Sequence, residues 1–197
     1  MADRVRVGVL ISGRGSNMVA LSEYKRRDPG RAYDIALVAS NVPEARGLVA
    51  AKRFGIKTWA LSHKGLDRVA YDMEVDGALR AHKVELVVLA GYMRLLSSDF
   101  VARWPERILN VHPSLLPLYK GLDTHRRALL AGDDYAGCSV HVVTDDLDSG
   151  PVVAQAKVRI HPRDDAESVA ARVLAAEHAL YPVALDDYCR WLRDMAA

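Results

Sequence analysis

Short apolar runs rich in β-branched residues alternate along the chain with longer stretches whose apolar positions recur at helical spacing. Val5–Ile11 (VRVGVLI) reads as a strand buried on both faces for most of its length. Ser12–Asn17 is a turn, and a helix from Ser16 to Arg27 follows, stopped by Asp28-Pro29-Gly30. Asp34–Ser40 is a second strand, and Glu44–Phe54 a second helix with Pro43 at its start and Gly55 at its end. Ile56–Leu61 is a short third strand. Leu66–His82 carries Leu66, Val69, Ala70, Met73 and Leu79 at mixed spacings of three and four, a helical face. Glu85–Ala90 (ELVVLA) is the most hydrophobic strand and is expected at the sheet centre.

Four strand-then-helix units within the first 100 residues imply right-handed crossovers and a parallel sheet. Arg107–Val111 is the next strand and leads into a Pro- and Gly-containing loop, Pro113–Gly121. A short helix covers Thr124–Ala131. Gly137–Val143 and Pro151–Ile160 are strands with little between them, so they should pair antiparallel and make the sheet mixed. A long helix, Ala166–Arg193, closes the chain, with Asp164 and Asp165 near the positive end of its dipole. Pro182 should kink this helix or split it in two. The pattern contains no repeat, low-complexity segment or linker.

The chain has 197 residues, the size of one domain that buries a full core without staples. With 50% hydrophobic and 26% charged residues it matches the globular average, which excludes a disordered, collagen-like or membrane protein as a whole-chain reading. A net charge of +2 is too small a surplus to argue for nucleic acid or an anionic membrane. Cys138 and Cys189 match no zinc spacing and no disulfide framework, and suit a reducing compartment. The apolar run ending at Ile11 is too short to cross a membrane and lacks a signal cleavage site, so a cytoplasmic location is expected.

Three stretches carry candidate chemistry. Gly13-Arg14-Gly15-Ser16-Asn17 follows the first strand and opens a helix, where backbone N–H groups favour an anion. Met18 stands where a dinucleotide fingerprint needs its third glycine, and the second strand ends at Ser40-Asn41 without an acidic residue. A single phosphate therefore fits better than a pyrophosphate; a tight turn before a capped helix is the plain alternative. Asn110-Val111-His112-Pro113 sits beyond a strand's carboxyl end, where open parallel sheets bind ligands. Asn110 and His112, two apart in an extended segment, point to the same side, and Pro113 biases His112 toward an extended backbone. A carboxamide and an imidazole together can stabilise an oxyanion or move a proton; a structural histidine beside a proline turn is the alternative. Ser139-Val140-His141 then leads into the acidic loop Thr144-Asp145-Asp146-Leu147-Asp148-Ser149-Gly150. Asp148 is well placed to reach back to the sheet end, where a carboxylate near His112 would raise the histidine pKa and favour the imidazolium. A solvated turn is the plain reading of these aspartates. No His/Cys/carboxylate set has metal-ligand spacing. His141 reads equally well as a functional residue and as a satisfied histidine.

The segments LISGRGSN (10–17), LAGYMRLLS (89–97), NVHPSLLPLYKG (110–121), SVHVVTDDLDSGPVVAQ (139–155) and AEHALYP (176–182) together resemble the phosphoribosylglycinamide formyltransferases, folate-dependent enzymes of purine biosynthesis. The HPSLLP loop marks the wider formyltransferase superfamily; the glycine turn and AEHALYP narrow it. The resemblance implies a single α/β, Rossmann-like domain, mostly parallel, with helices on both faces and an antiparallel C-terminal strand pair. Residues up to about 100 would form a ribonucleotide-phosphate half and the rest a catalytic and folate half. It implies Asn110, His112 and Asp148 as the catalytic trio, and Gly15, Ser16, Asn17 and Glu177 for glycinamide ribonucleotide. For the co-substrate 10-formyltetrahydrofolate it implies Arg68, Met93, Arg94, Leu95, Leu96 and Asn110, with Thr144, Asp145, Asp146, Leu147 and Asp148 closing over the pterin. No metal, nucleic acid or membrane is implied, and a homodimer is compatible with the sequence. Arg14, Lys120 and a short tail after Trp191 depart from the family pattern. Four rivals stand beside this reading. Methionyl-tRNA formyltransferase would need a C-terminal RNA-binding domain, whereas this chain ends at Ala197. A formyl-folate hydrolase would need an extra N-terminal domain, whereas the strand pattern here starts at Val5. An inactive binding module is disfavoured by the intact trio, and a nicotinamide oxidoreductase by Met18.

Overall fold

A computed structural model describes residues 4–195. The strands are β1 (Val5–Ile11), β2 (Tyr33–Ser40), β3 (Thr58–Ala60), β4 (Leu86–Leu89), β5 (Ile108–His112), β6 (Tyr135–Val142) and β7 (Val152–Arg159). The helices are α1 (Ser16–Arg27), α2 (Arg46–Arg53), α3 (Arg68–Ala81), α4 (Ser98–Arg103), α5 (Thr124–Ala131) and α6 (Ala166–Asp194). They form a seven-stranded sheet in the order β3-β2-β1-β4-β5-β6-β7, so β4 lies at the centre as its sequence requires. β1 to β5 are parallel, and β6 and β7 pair antiparallel. The fold is the expected α/β arrangement. β5 is the strand at which direction switches: it takes β4 on one edge and β6 on the other.

Alternation along the strands divides the core between the two faces of the sheet. Val7, Val9, Leu109, Val111 and Val140 point one way and pack with Met18, Leu21, Leu48, Val173, Tyr181 and Leu185 from α1, α2 and α6. Leu10, Leu37, Val87 and Ile108 point the other way and meet Tyr71, Val75, Leu79, Phe100 and Trp104 from α3 and α4. Among the described residues no helix is long and apolar enough to cross a membrane.

Several expectations need correction. α4 is an additional short helix, capped by Ser97 Oγ accepting from Phe100 N; at 6 residues it is too brief to display a helical period. β3 contracts to three residues, and α2 begins at Arg46, two residues late. Pro182 does not split α6, which runs unbroken through it. The lost i→i−4 hydrogen bond is offset by buried residues on both sides, Val173, Glu177 and Tyr181 before it and Ala184, Leu185 and Leu192 after it. Tyr181 Oη also lies 3.1 Å from the carbonyl oxygens of both Leu89 and Leu109, tying the helix to the central strands. The acidic start of α6 is a capping box, Asp165 with Ser168.

The turn after β1 requires glycine at two places. Gly15 caps α1 with φ at 72°, and a Cβ there would come within 2.9 Å of Gly47 Cα. Gly47 N in turn donates to Gly13 O at 3.0 Å, and a Cβ on Gly47 would sit 2.4 Å from Ile11 Cδ1. The β1–α1 turn and the start of α2 are thus in backbone contact. Gly47→Ala is expected to lower unfolding stability by about 1–3 kcal/mol through overpacking, read as a lower urea midpoint at unchanged slope; an unshifted midpoint would mean that Ile11 gives way freely.

Candidate active site

Asn110 and His112 share one side of β5, as period-two alternation requires. β6 lies alongside with Asn110 opposite His141 and His112 opposite Ser139. The chain leaves β6 through the loop 143–151, and Asp148 turns back from it with φ at 47°. Its carboxylate accepts from Gly121 N at 2.9 Å, through Oδ2. The same oxygen stands 3.3 Å from His112 Nδ1, while Oδ1 stands 3.6 Å from His141 Nε2. The three side chains are almost wholly buried, at 7%, 8% and 2% exposure for His112, Asp148 and His141. The other ring nitrogen of His112, Nε2, is 3.0 Å from the Tyr119 carbonyl oxygen. Both nitrogens of His112 therefore face acceptors, the arrangement that suits a ring donating from each. Asn110 Nδ2 lies 3.2 Å from His141 Nε2, and His141 Nδ1 lies 3.0 Å from Val142 O. Burial pushes the His141 pKa below its ordinary value, with the carboxylate of Asp148 a lesser opposing influence.

The Pro113–Gly121 loop is held from several sides. Ser114 Oγ donates to Leu118 O, Ser139 Oγ donates to Ser114 O, and Leu116 N donates to Ser139 Oγ. Lys120, expected from the sequence to be unusual at its position, reaches across to Ser149 Oγ at 2.6 Å and braces the Asp148 loop against the Tyr119 loop. Arg14, the other such residue, is exposed.

A second group of predicted residues gathers at the start of α1. Gly15 is its N-cap, Ser16 its first residue, and no side chain caps the first-turn N–H groups. Asn17 Nδ2 donates to Glu177 Oε2 at 2.7 Å, both side chains being buried. Asn17 Oδ1 is buried without a partner. With one donor and apolar surroundings, the Glu177 carboxyl is pushed up to about 7, chiefly by desolvation.

The segment after β4 alternates: Tyr92, Arg94 and Leu96 are partly buried, while Met93 and Leu95 are 74% and 54% exposed. Arg94 lies over the Tyr71 ring, 4.6 Å from its centroid. Arg68 is exposed at the start of α3. Thr144, Asp145, Asp146 and Leu147 are exposed, and of the acidic loop only Asp148 reaches the histidines. Ser12, absent from the predicted set, joins the two ends: its Oγ donates to Asn41 Oδ1 at 2.6 Å and accepts from Met93 N at 2.8 Å. His125 on α5 is a further missed residue, with Nδ1 buried and unpartnered and its pKa lowered by burial and then by His112. Nothing in its local sequence distinguishes it. Among the described residues no group of three or more His, Cys, Asp or Glu side chains is arranged to hold a metal ion.

Comparison with known proteins bears on this geometry. Residues 5–185 match the profile of the Formyl transferase family. The phosphoribosylglycinamide formyltransferase of Escherichia coli is 44% identical over 191 residues, covering 96% of this chain and 88% of that protein. The trifunctional purine biosynthetic protein adenosine-3 of Drosophila melanogaster is 46% identical over 184 residues. That match covers 92% of this chain but only 14% of the trifunctional protein's length. The solved phosphoribosylglycinamide formyltransferase of Brucella melitensis superposes with a TM-score of 0.90 at 48% identity, covering 95% of this chain and 96% of that one. Its counterpart from Anaplasma phagocytophilum gives 0.88 at 45% identity, covering 94% and 87%. A close superposition on solved relatives, a family profile along most of the length and identity above 40% across nearly the whole chain lead to one assignment: this chain belongs to the formyl transferase family.

Proposed function

We propose that this chain transfers the formyl group of 10-formyltetrahydrofolate to the amine of glycinamide ribonucleotide, giving formylglycinamide ribonucleotide and tetrahydrofolate. The observation that carries this reading is the gathering of His112 and Asp148, with Asn110 beside them across His141, on one side of β5. The names of the similar enzymes, phosphoribosylglycinamide formyltransferases, point to the same reaction.

The neutral amine attacks the formyl carbon, and the carbonyl oxygen takes up the electron pair as a tetrahedral intermediate. Asn110 donates one N–H to that oxygen, and His112 donates Nε2–H with a charge behind it. The Tyr119 carbonyl that Nε2 faces is a neutral acceptor; a developing oxyanion competes for the same proton with the advantage of its charge. Asp148 accepts from Nδ1 and fixes the orientation of the ring. When the intermediate collapses, the C–N bond to the folate nitrogen breaks, and the proton lost by the amine ends on that nitrogen. Exposed Met93 and Leu95 offer an apolar edge for the flat pterin, and Arg68 a cation for a carboxylate. The bare first turn of α1 suits a phosphate. Asn17 Oδ1 and the Glu177 carboxyl are acceptors short of donors, a match for hydroxyl and amine groups of the ribonucleotide.

The direct test mixes the protein with formyl-folate and glycinamide ribonucleotide and follows loss of the formyl group. Transfer is expected only with both present; loss without ribonucleotide would make the protein a hydrolase. Asp148→Asn should lower kcat by about 10²–10³ with both KM values little changed, and a near-normal kcat would remove Asp148 from its role. Asn17→Ala should raise KM for the ribonucleotide and spare that for folate, whereas an equal rise in both would undercut the placing of the ribonucleotide at the start of α1.

Glu177 gives a stability prediction. Its folded pKa of about 7 exceeds the ordinary value of 4.5, so the unfolded chain releases this proton first as pH rises. The resulting penalty is absent below the unfolded pKa, grows between the two values and is complete above about 7. Glu177→Gln, which keeps an acceptor for Asn17, should therefore be more stable than the parent at about pH 8 by roughly 2–3 kcal/mol, and equal to it near pH 4. Urea unfolding at both values checks this, and a gain independent of pH would contradict it.

A further inference from the structure

His141 has no part in the mechanism above, yet it is more deeply buried than His112 and sits directly against Asn110. Its two ring nitrogens meet chemically different partners. Nδ1 faces the Val142 carbonyl at 3.0 Å, and a carbonyl can only accept, so Nδ1 must carry a proton. Nε2 faces Asn110 Nδ2 at 3.2 Å. The charged groups near the ring are Asp148, whose Oδ1 at 3.6 Å is beyond a good hydrogen bond, and His112, which disfavours a second positive charge nearby. Burial also disfavours the cation, and it is the strongest influence on this ring.

Resting on the proposed formyl transfer, we infer that His141 is a positioning residue: a neutral imidazole, protonated at Nδ1, whose Nε2 lone pair fixes the direction of the Asn110 carboxamide. An asparagine amide is nearly symmetric in shape, and only its hydrogen bonds decide which end faces the reacting oxygen. An unprotonated Nε2 accepts from the amide nitrogen and repels the amide oxygen. One N–H of Asn110 is thereby spent on His141, and the other is left for the oxyanion. A His141 protonated at Nε2 would impose the opposite orientation, with the Asn110 oxygen turned toward the ring. The two histidines then play different parts: His112 lies against the Asp148 carboxylate, and His141 accepts from Asn110.

The tautomer can be read directly. In a long-range 1H–15N spectrum of the whole protein near neutral pH, His141 Nδ1 is expected at a protonated and Nε2 at an unprotonated nitrogen shift. A proton on Nε2 overturns the inference whatever the enzyme's activity. The role is read by a double-mutant cycle on formyl transfer. His141→Leu should lower kcat about 10–100-fold with little change in either KM, and His141→Gln, which can still accept from Asn110, should recover most of it. In an Asn110→Ala background the leucine substitution should cost less than about twofold, because the group it acts through is gone. Equal cost in both backgrounds, or a full kcat in His141→Leu, overturns the inference while leaving the formyl-transfer reading intact. If His141→Leu does not fold, the glutamine variant and the spectrum decide. A parent protein that transfers no formyl group defeats the underlying reading and the positioning role with it.

Discussion

Asp148 sits on a backbone with φ at 47°, a conformation that aspartate tolerates better than most side chains. That local turn brings one carboxylate to His112, to the Gly121 amide and close to His141 at the same time. Without it, a nearly buried imidazole would face a carbonyl on one nitrogen and nothing on the other. The strain of the turn is met by its surroundings: Lys120 bonds Ser149 on one side, and Gly150 is packed so tightly that a Cβ would lie within van der Waals overlap of Val142 O. The acidic loop is therefore held by contacts at the two residues that follow the one it delivers.

The sheet explains why this occurs at β5 and nowhere else. The parallel strands end in loops that lead away into helices. β6 instead runs back along β5, placing His141 beside Asn110 in register, and the β6–β7 connection, which starts beside Ile108 and Leu109, folds back along β5 until Asp148 meets His112. A parallel neighbour would have sent its following loop to a crossover helix. The switch in strand direction thus supplies a second histidine and a returning aspartate to a strand that already carries two polar side chains on one side.

Much of this was legible in residue patterns, and the remainder was hidden for identifiable reasons. Period-two spacing put Asn110 and His112 on one side, and the brevity of the chain between β6 and β7 implied antiparallel pairing, hence Asp148 near the strand end. The glycine turn after β1 announced a bare helix start. Tyr119 and Gly121 contribute backbone groups, which no residue type encodes, and His125 on α5, whose pKa is lowered by burial and then by His112, carries no mark in its local sequence. α4 was too short for a period. Pro182 followed the local rule for helix breakers, and burial of the residues around it overrode that rule.

The two buried carboxyl groups of the site show how environment divides labour between identical chemistry. Asp148 has a backbone N–H and an imidazole against the same oxygen, Oδ2, so that oxygen is matched within the fold. Glu177 has one amide donor from Asn17 and otherwise faces Cys138, Tyr181 and the apolar side of the sheet, and its pKa rises accordingly. A carboxylate with two donors on one oxygen can orient a neighbour, and that oxygen has little left to offer a ligand. A carboxyl short of donors costs the fold stability and keeps that capacity for a molecule bringing hydroxyl or amine groups. The energetic weakness at Glu177 and the anchored Oδ2 of Asp148 thus trace to one cause, the number of donors that the surrounding chain turns toward each acid.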